Sequence, residues 1–394
     1  MGLTVPRMSV PGPFGGFGFD PSAFGRMFSE TGPVSWELAR WMVTQGGGPA
    51  ANVDPLRRMR LEELLRVAEL QVGDVTGLAT APSGHSLSVE AVAPAGWATA
   101  TMDDYKALLE RLAQALTPPV EAAPPNLELP PGAEALGPLF AQLPKILGPM
   151  MMGMQSGMLL SQLSERAFGS YELPIPRPGR TSLLLVPQAI DGFAASWSLP
   201  QDDVSLWVCL HEVGHHAVLS LPHVQRAVTD LLLQHAGGFH ADGIDLESRF
   251  GGIDPSDPNA LQSLLGDPEA VLGAARSPEQ EQLRPRIDAV VAAISGYIDH
   301  VVDVVGQRLL GSYSSLTEAL RRRRVEEKPS DRFVDHLLGL ELTDAQFARG
   351  RTFVHGVLER GGDDALGRLW SAPAHLPTPA EIDAPGLWLA RIDL

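Results

Sequence analysis

The sequence predicts a mainly α-helical body with a small β element beside one buried helix. Three observations predict it. Apolar residues recur at helical spacing in one segment after another between Val34 and Val305. The segment Val204 to Leu219 is apolar nearly all round, the mark of a helix covered on every side. Only Tyr171 to Ile175 and Ser182 to Pro187, joined by the turn-rich Pro176-Arg177-Pro178-Gly179-Arg180, read as a strand pair.

Taken in order, residues 1 to 30 are rich in Gly, Phe and Pro and read as an irregular arm. Residues 34 to 46 and 55 to 72 carry core-facing helical periodicity, and Asp103 to Leu116 offers a further amphipathic helix. Pro118 to Ala133 is a proline-rich connector and the best internal boundary. It divides one compact body into an N-terminal arm and helical portion, 1–133, and a second portion, 134–394. The stretch Ile146 to Met154 is apolar but flanked by Lys145 and Gln155, too short to cross a bilayer. It reads as a packed core helix running to about Phe168, with methionines filling gaps. The strand pair follows.

The buried helix opens at Leu199-Pro200-Gln201-Asp202-Asp203, where a proline suits a helix start and two acids suit the positive end of the helix dipole. It stops before Pro222, after which another helix runs to about His235. A loop rich in Gly and Asp follows through Pro255, and His240 reads as a solvated loop residue. Glu279 to Leu310 returns to helix, with Val290, Val291, Ile294, Ile298, Val301, Val302 and Val305 as its apolar stripe. Arg321-Arg322-Arg323-Arg324, followed by Glu326-Glu327, reads as a solvated helix face. Trp370 and Trp388 read as core anchors, and His336, His355 and His375 as bystanders.

The chemistry is concentrated in the buried helix, at His211-Glu212-Val213-Gly214-His215. At about 100° per residue, His211 and His215 lie about 40° apart on one face, one turn from each other. Two imidazoles so placed can share one metal ion. Glu212 leaves the helix about 100° from His211, within reach of a water on that ion, as a general base must be. Two histidines and a glutamate inside an apolar helix are costly to bury unless something pairs with them, and a zinc ion would. His216 points about 100° away from His215 and reads as a packing or supporting residue.

Composition narrows the rest. The 394 residues are 44% hydrophobic, enough for a large core. A formal charge of −17 argues against nucleic-acid and anionic-membrane partners, which need a basic surface. The single cysteine, Cys209, excludes an internal disulfide and a cysteine-based zinc site, and fits a cytoplasmic location. The first residues lack the positive-then-apolar order of a signal peptide, so export is not expected.

Three longer stretches add a resemblance. They are Leu160 through Pro174, Leu206-Trp207-Val208-Cys209-Leu210-His211-Glu212, and a tail from Arg332-Phe333-Val334-Asp335 through Leu369-Trp370-Ser371-Ala372-Pro373 to Thr378. On these the chain resembles the bacterial zincin-like metallopeptidases, some of whose members carry a label linking them to deazaflavin-cofactor biosynthesis. The resemblance implies a mostly helical zincin-type body whose metal helix carries two histidine ligands and a glutamate base. In that family the later helix reads Leu-Glu-Gly-His followed by an acid, and its glutamate is the natural third zinc ligand. Here the matching residues are Ile294-Ser295-Gly296-Tyr297-Ile298-Asp299, so a serine stands at that position. A hydroxyl is a poor zinc ligand beside a carboxylate.

The nearest replacement on the same helix face is Asp299, one turn on, with His300 about 100° further round. The expected set is therefore His211, His215 and Asp299 on zinc with Glu212 as base; His300, or no third protein ligand, are the alternatives. The expected activity is hydrolysis of a peptide or protein substrate by a metal-activated water, with Tyr297 or His216 available to stabilise an oxyanion. The other reading is a zincin-fold binding or scaffold protein with an impaired site. In either reading the strand Leu183 to Val186 could align an extended chain.

Overall fold

In a computed structural model of the chain, residues 32–46, 53–81, 86–116, 137–239, 277–325 and 329–393 are described. The arm, the proline-rich connector and His240 lie outside them. The fold is mainly α with one two-stranded sheet. In chain order the helices are α1 (Trp36–Gly46), α2 (Pro55–Thr76), α3 (Pro94–Leu116), α4 (Gly137–Ser164), α5 (Pro187–Ser196), α6 (Gln201–Leu219) and α7 (Pro222–Gly237). Then come α8 (Pro278–Leu309), α9 (Tyr313–Val325), α10 (Pro329–Leu338), α11 (Asp344–Gly367), α12 (Pro379–Asp383) and α13 (Pro385–Ile392).

Helix α6 sits where its composition demands. Every residue from Val204 to Leu210 and from Glu212 to Leu219 is buried, with α2, α5, α7 and α8 packed around it. Its first turn carries Asp202 and Asp203, and Asp202 also receives the Arg60 guanidinium from α2. A second bridge from α2 joins Arg57 to Asp191 at 2.6 Å and to the Ser205 hydroxyl at 2.7 Å. Helix α2 is thereby held against α5 and α6.

Helix α8 starts with a capping box at Ser277 and Gln280, each side chain bonded to the other's backbone N–H. Among the described residues it is the one helix long and apolar enough to cross a membrane, and 78% of that window is buried inside the protein. Its partner α11 crosses it at two glycines. A Cβ on Gly296 would lie 2.3 Å from the Gly350 backbone, so the helices meet at a distance that no larger residue permits. Trp370 and Trp388 are buried core residues as expected.

The strand expectation is half corrected. Ser182–Leu185 is a strand, β2, but it pairs in parallel with β1, Ser88–Ala91, and Tyr171 to Ile175 forms no strand. The other edge of β2 is taken by the segment after α4. Gly169 bridges Leu185 antiparallel, Val186 N–H donates to the Phe168 carbonyl at 2.9 Å, and Leu184 N–H donates to Ser170 Oγ at 2.8 Å. Leu183 to Val186 are buried. No edge of this strand is open to align an extended chain, because neighbours already use the backbone groups that would do so.

Candidate metal centre

His211 and His215 line one cavity of about 140 Å³, with Glu212 between them in sequence. Their ring centroids are 4.3 Å apart. The Nδ1 of His215 donates to the His211 carbonyl oxygen at 3.0 Å, one turn back along α6. The Nδ1 of His211 lies 3.4 Å from Glu212 Oε1. With both Nδ1 atoms committed, each ring presents Nε2 as its free nitrogen, the tautomer a metal ligand needs. Trp207 stacks on His211 at 5.1 Å and Tyr171 on His215 at 5.9 Å, which fixes both ring planes.

Burial sets the charge of these groups. It depresses His211 to about 4 and His215 to about 3, so both imidazoles are neutral at pH 7. Burial also pushes the Glu212 carboxyl up to about 7, even though backbone N–H donors oppose the shift. A displacement of that size corresponds to roughly 3 kcal/mol against ionisation.

The seat of Glu212 is the segment Gly169-Ser170-Tyr171. Tyr171 N–H donates to Oε2 at 2.8 Å, and the Ser170 backbone also bonds the carboxylate. Gly169 is required by space: a Cβ there would fall 2.4 Å from Glu212 Cδ. The Tyr171 hydroxyl pairs with His216 Nδ1 at 2.9 Å, so His216 supports the seat and does not line the cavity.

Asp299 and Ser295 line the same cavity from α8. The Asp299 carboxylate is held by the Arg324 fork, at 2.9 and 3.1 Å, and by Arg351 at 3.4 Å. Burial raises its pKa, but Arg324 outweighs burial and holds it below the usual carboxylate range. His300 is not among the cavity residues, nor is Tyr297, which packs edge-on against Trp370 at 5.4 Å inside the core. A tyrosine there cannot reach an oxyanion beside the histidines.

The arginine run is corrected as well. Consecutive helix residues point about 100° apart, so four of them cannot share one face. Arg321 and Arg322 pair with Glu318 at the surface, whereas Arg323 and Arg324 turn into the cavity. The run of four signals charge, and the helical turn separates the two arginines that face solvent from the two that face the cavity. His336, His355 and His375 do not line the cavity.

Two neutral imidazoles with free Nε2 atoms, one turn apart on one cavity wall, fit a divalent metal ion. Among the described residues no group of three His, Cys, Asp or Glu stands ready to hold one. The incomplete element is the third donor, and Asp299 is bound to arginines instead.

The sequence model of the zincin-like metallopeptidases matches residues 34–389. The chain belongs to that family. The zincin-like match takes in both histidines, Glu212 and the α8 residues around Ser295. A crystal structure from Chloroflexus aurantiacus, of a protein provisionally described as a hydrolase with a novel fold, superposes with a TM-score of 0.64. The two are 24% identical, and the superposition covers 91% of this chain and 99% of that one. That likeness is one of fold. A comparison with curated proteins finds no match.

Proposed function

We propose that this family member is a zinc-dependent hydrolase that cleaves amide bonds in peptides or proteins, working in the cytoplasm without nucleic-acid or membrane partners. The observation that carries the proposal is the pair of His211 and His215 rings, 4.3 Å apart on one cavity wall beside the buried Glu212. His211 and His215 would hold the ion. Asp299 is the proposed third donor. A carboxylate has about four lone-pair sites, so Asp299 can ligate while Arg324 and Arg351 stay hydrogen-bonded. The pair is part-buried, and breaking it outright would leave a charge without its partner.

When bound, zinc supplies Lewis-acid polarisation and lowers the pKa of water to about 7. The chain's own residues do the remainder. Tyr171 N–H fixes Oε2 of Glu212, and Oε1, which keeps a second lone pair beside its 3.4 Å contact with His211 Nδ1, takes a proton from water and returns it to the departing amine. Trp207, Phe168 and Phe347 exclude bulk water around the reacting group.

A second reading has its own support. The engagement of Asp299 with Arg324 leaves two ligands in place, as a binding or scaffold protein with an impaired site would have. Metal analysis separates the two. Protein purified without added zinc should carry about one equivalent, and Glu212→Gln should keep the metal and lose turnover by at least about 100-fold. A site that stays empty on zinc titration would rule out the hydrolase.

A further inference from the structure

The cavity beside the histidines is unusually rich in cations for this chain. Arg166, Arg323 and Arg324 all line it, although the formal charge of the protein is −17. Glu172 lies 3.0 Å from Arg166 and 3.7 Å from Arg323, and Asp299 pairs with Arg324. These two acids stand against three arginines, so balance is reached only when Glu212, the third carboxylate of the lining, is ionised. An ion on the two neutral histidines would then leave the cavity positive, with a place for one more anion.

Arg324 is built to receive it. Asp299 takes up two of the five N–H donors that a guanidinium carries. The planar fork is the group best matched to a second carboxylate. The guanidinium lies 4.2 Å over the Phe347 ring, and Phe347, Trp207, Leu320 and Leu342 give the rest of the cavity an apolar wall. The cavity is walled by α6, α8, α9 and α11 and not by a free strand edge. The closed edges of β2 point the same way.

Resting on the hydrolase reading, we infer that the substrate presents a free α-carboxylate to Arg324 and an apolar side chain to the aromatic wall. The bond cleaved is the amide of that terminal residue. Water adds its hydroxyl to the acyl carbon as the C–N bond breaks, and its proton goes to the departing amine nitrogen. The substrate class is an N-acyl amino acid unit, whether free or at the end of a peptide.

The test measures binding to metal-free, full-length protein, so that arginine and not an ion is read. N-acetyl-L-leucine should bind at least about tenfold more tightly than N-acetyl-L-leucinamide, which lacks the charge. In Arg324→Gln with Asp299→Asn, a double variant that leaves no unpaired buried charge, this preference should vanish. Equal binding of acid and amide by the wild type, or a preference that survives in the double variant, overturns the inference. The same acid-over-amide comparison on N-acetyl-Ala-Ala-Leu supports it with peptide ends as the source; selectivity confined to N-acetyl-L-leucine supports it with small acyl amino acids. Cleavage by zinc-loaded protein of a peptide capped at both ends, in preference to acid-terminated probes, overturns the inference and leaves the hydrolase standing. Carboxylate-selective binding without cleavage of any probe keeps the subsite and removes the hydrolase.

Discussion

The indole Nε1 of Trp97 donates a 2.6 Å hydrogen bond to the Gly169 carbonyl oxygen, 72 residues further along the chain. Trp97 is fully buried on α3, and Gly169 begins the segment whose N–H groups hold Glu212. An N-terminal helix thus braces the base without touching it. Trp97→Phe leaves that carbonyl unsatisfied and opens a small void, so stability should fall by about 2–4 kcal/mol. Urea unfolding checks this; a loss under about 0.5 kcal/mol would mean the brace carries no weight.

Gly169→Ala probes the seat directly. The added Cβ overlaps the Glu212 carboxylate at 2.4 Å, and the carboxylate must move because the glycine backbone is tied to β2. Turnover should drop by about 100-fold or more, while circular dichroism remains that of the wild type. Undiminished turnover would show that the base does not work from this position.

Ser295→Glu restores the carboxylate at the position where the resemblance places the third ligand. Ser295 is buried and lines the cavity. Zinc affinity should increase by about tenfold or more, because a carboxylate at 295 offers the ion a donor that is not already shared with Arg324 as Asp299 is. Competition with a fluorescent chelator measures it, and an unchanged affinity would put residue 295 outside the coordination shell.

Asp288 gives a pH signature remote from the site. Burial raises its carboxyl to about 6, against the pull of Arg284. The folded state then binds the proton more tightly than the unfolded chain, whose aspartates titrate near 3.9. Asp288 therefore removes stability as pH rises from about 4 through 6. Asp288→Asn should be more stable than the wild type by about 1–3 kcal/mol at pH 8 and should match it below pH 4. Thermal melts at the two pH values test the sign, and a difference independent of pH contradicts it.

The parts of this protein legible in its sequence are those governed by local periodicity. The α6 boundaries follow from Pro200, the two aspartates and Pro222, and the histidine pair follows from the turn of a helix. The α8 helix and the burial of Trp370 and Trp388 were readable on the same grounds. Long-range pairings were not. Ser88–Ala91 is four residues long, and nothing near it names Ser182–Leu185 as its partner. The start of α3 at Pro94, nine residues ahead of the expected Asp103, depends on Trp97 packing in the core more than on amphipathic pattern. The Asp299–Arg324 pair joins two helices, so spacing along either one could not show that the expected ligand already has a partner.

The parallel register of β1 and β2 also orders events in time. Ser88 and Ser182 pair across 94 residues of chain, a span that contains α3 and α4. Non-local pairings of this kind are slow to form beside helices, which close local contacts first. Gly169 has no strand to lie against until β2 is in place. During refolding, helical signal should therefore return before the Glu212 seat exists, and a chain arrested at that stage would hold its two histidines without a positioned base.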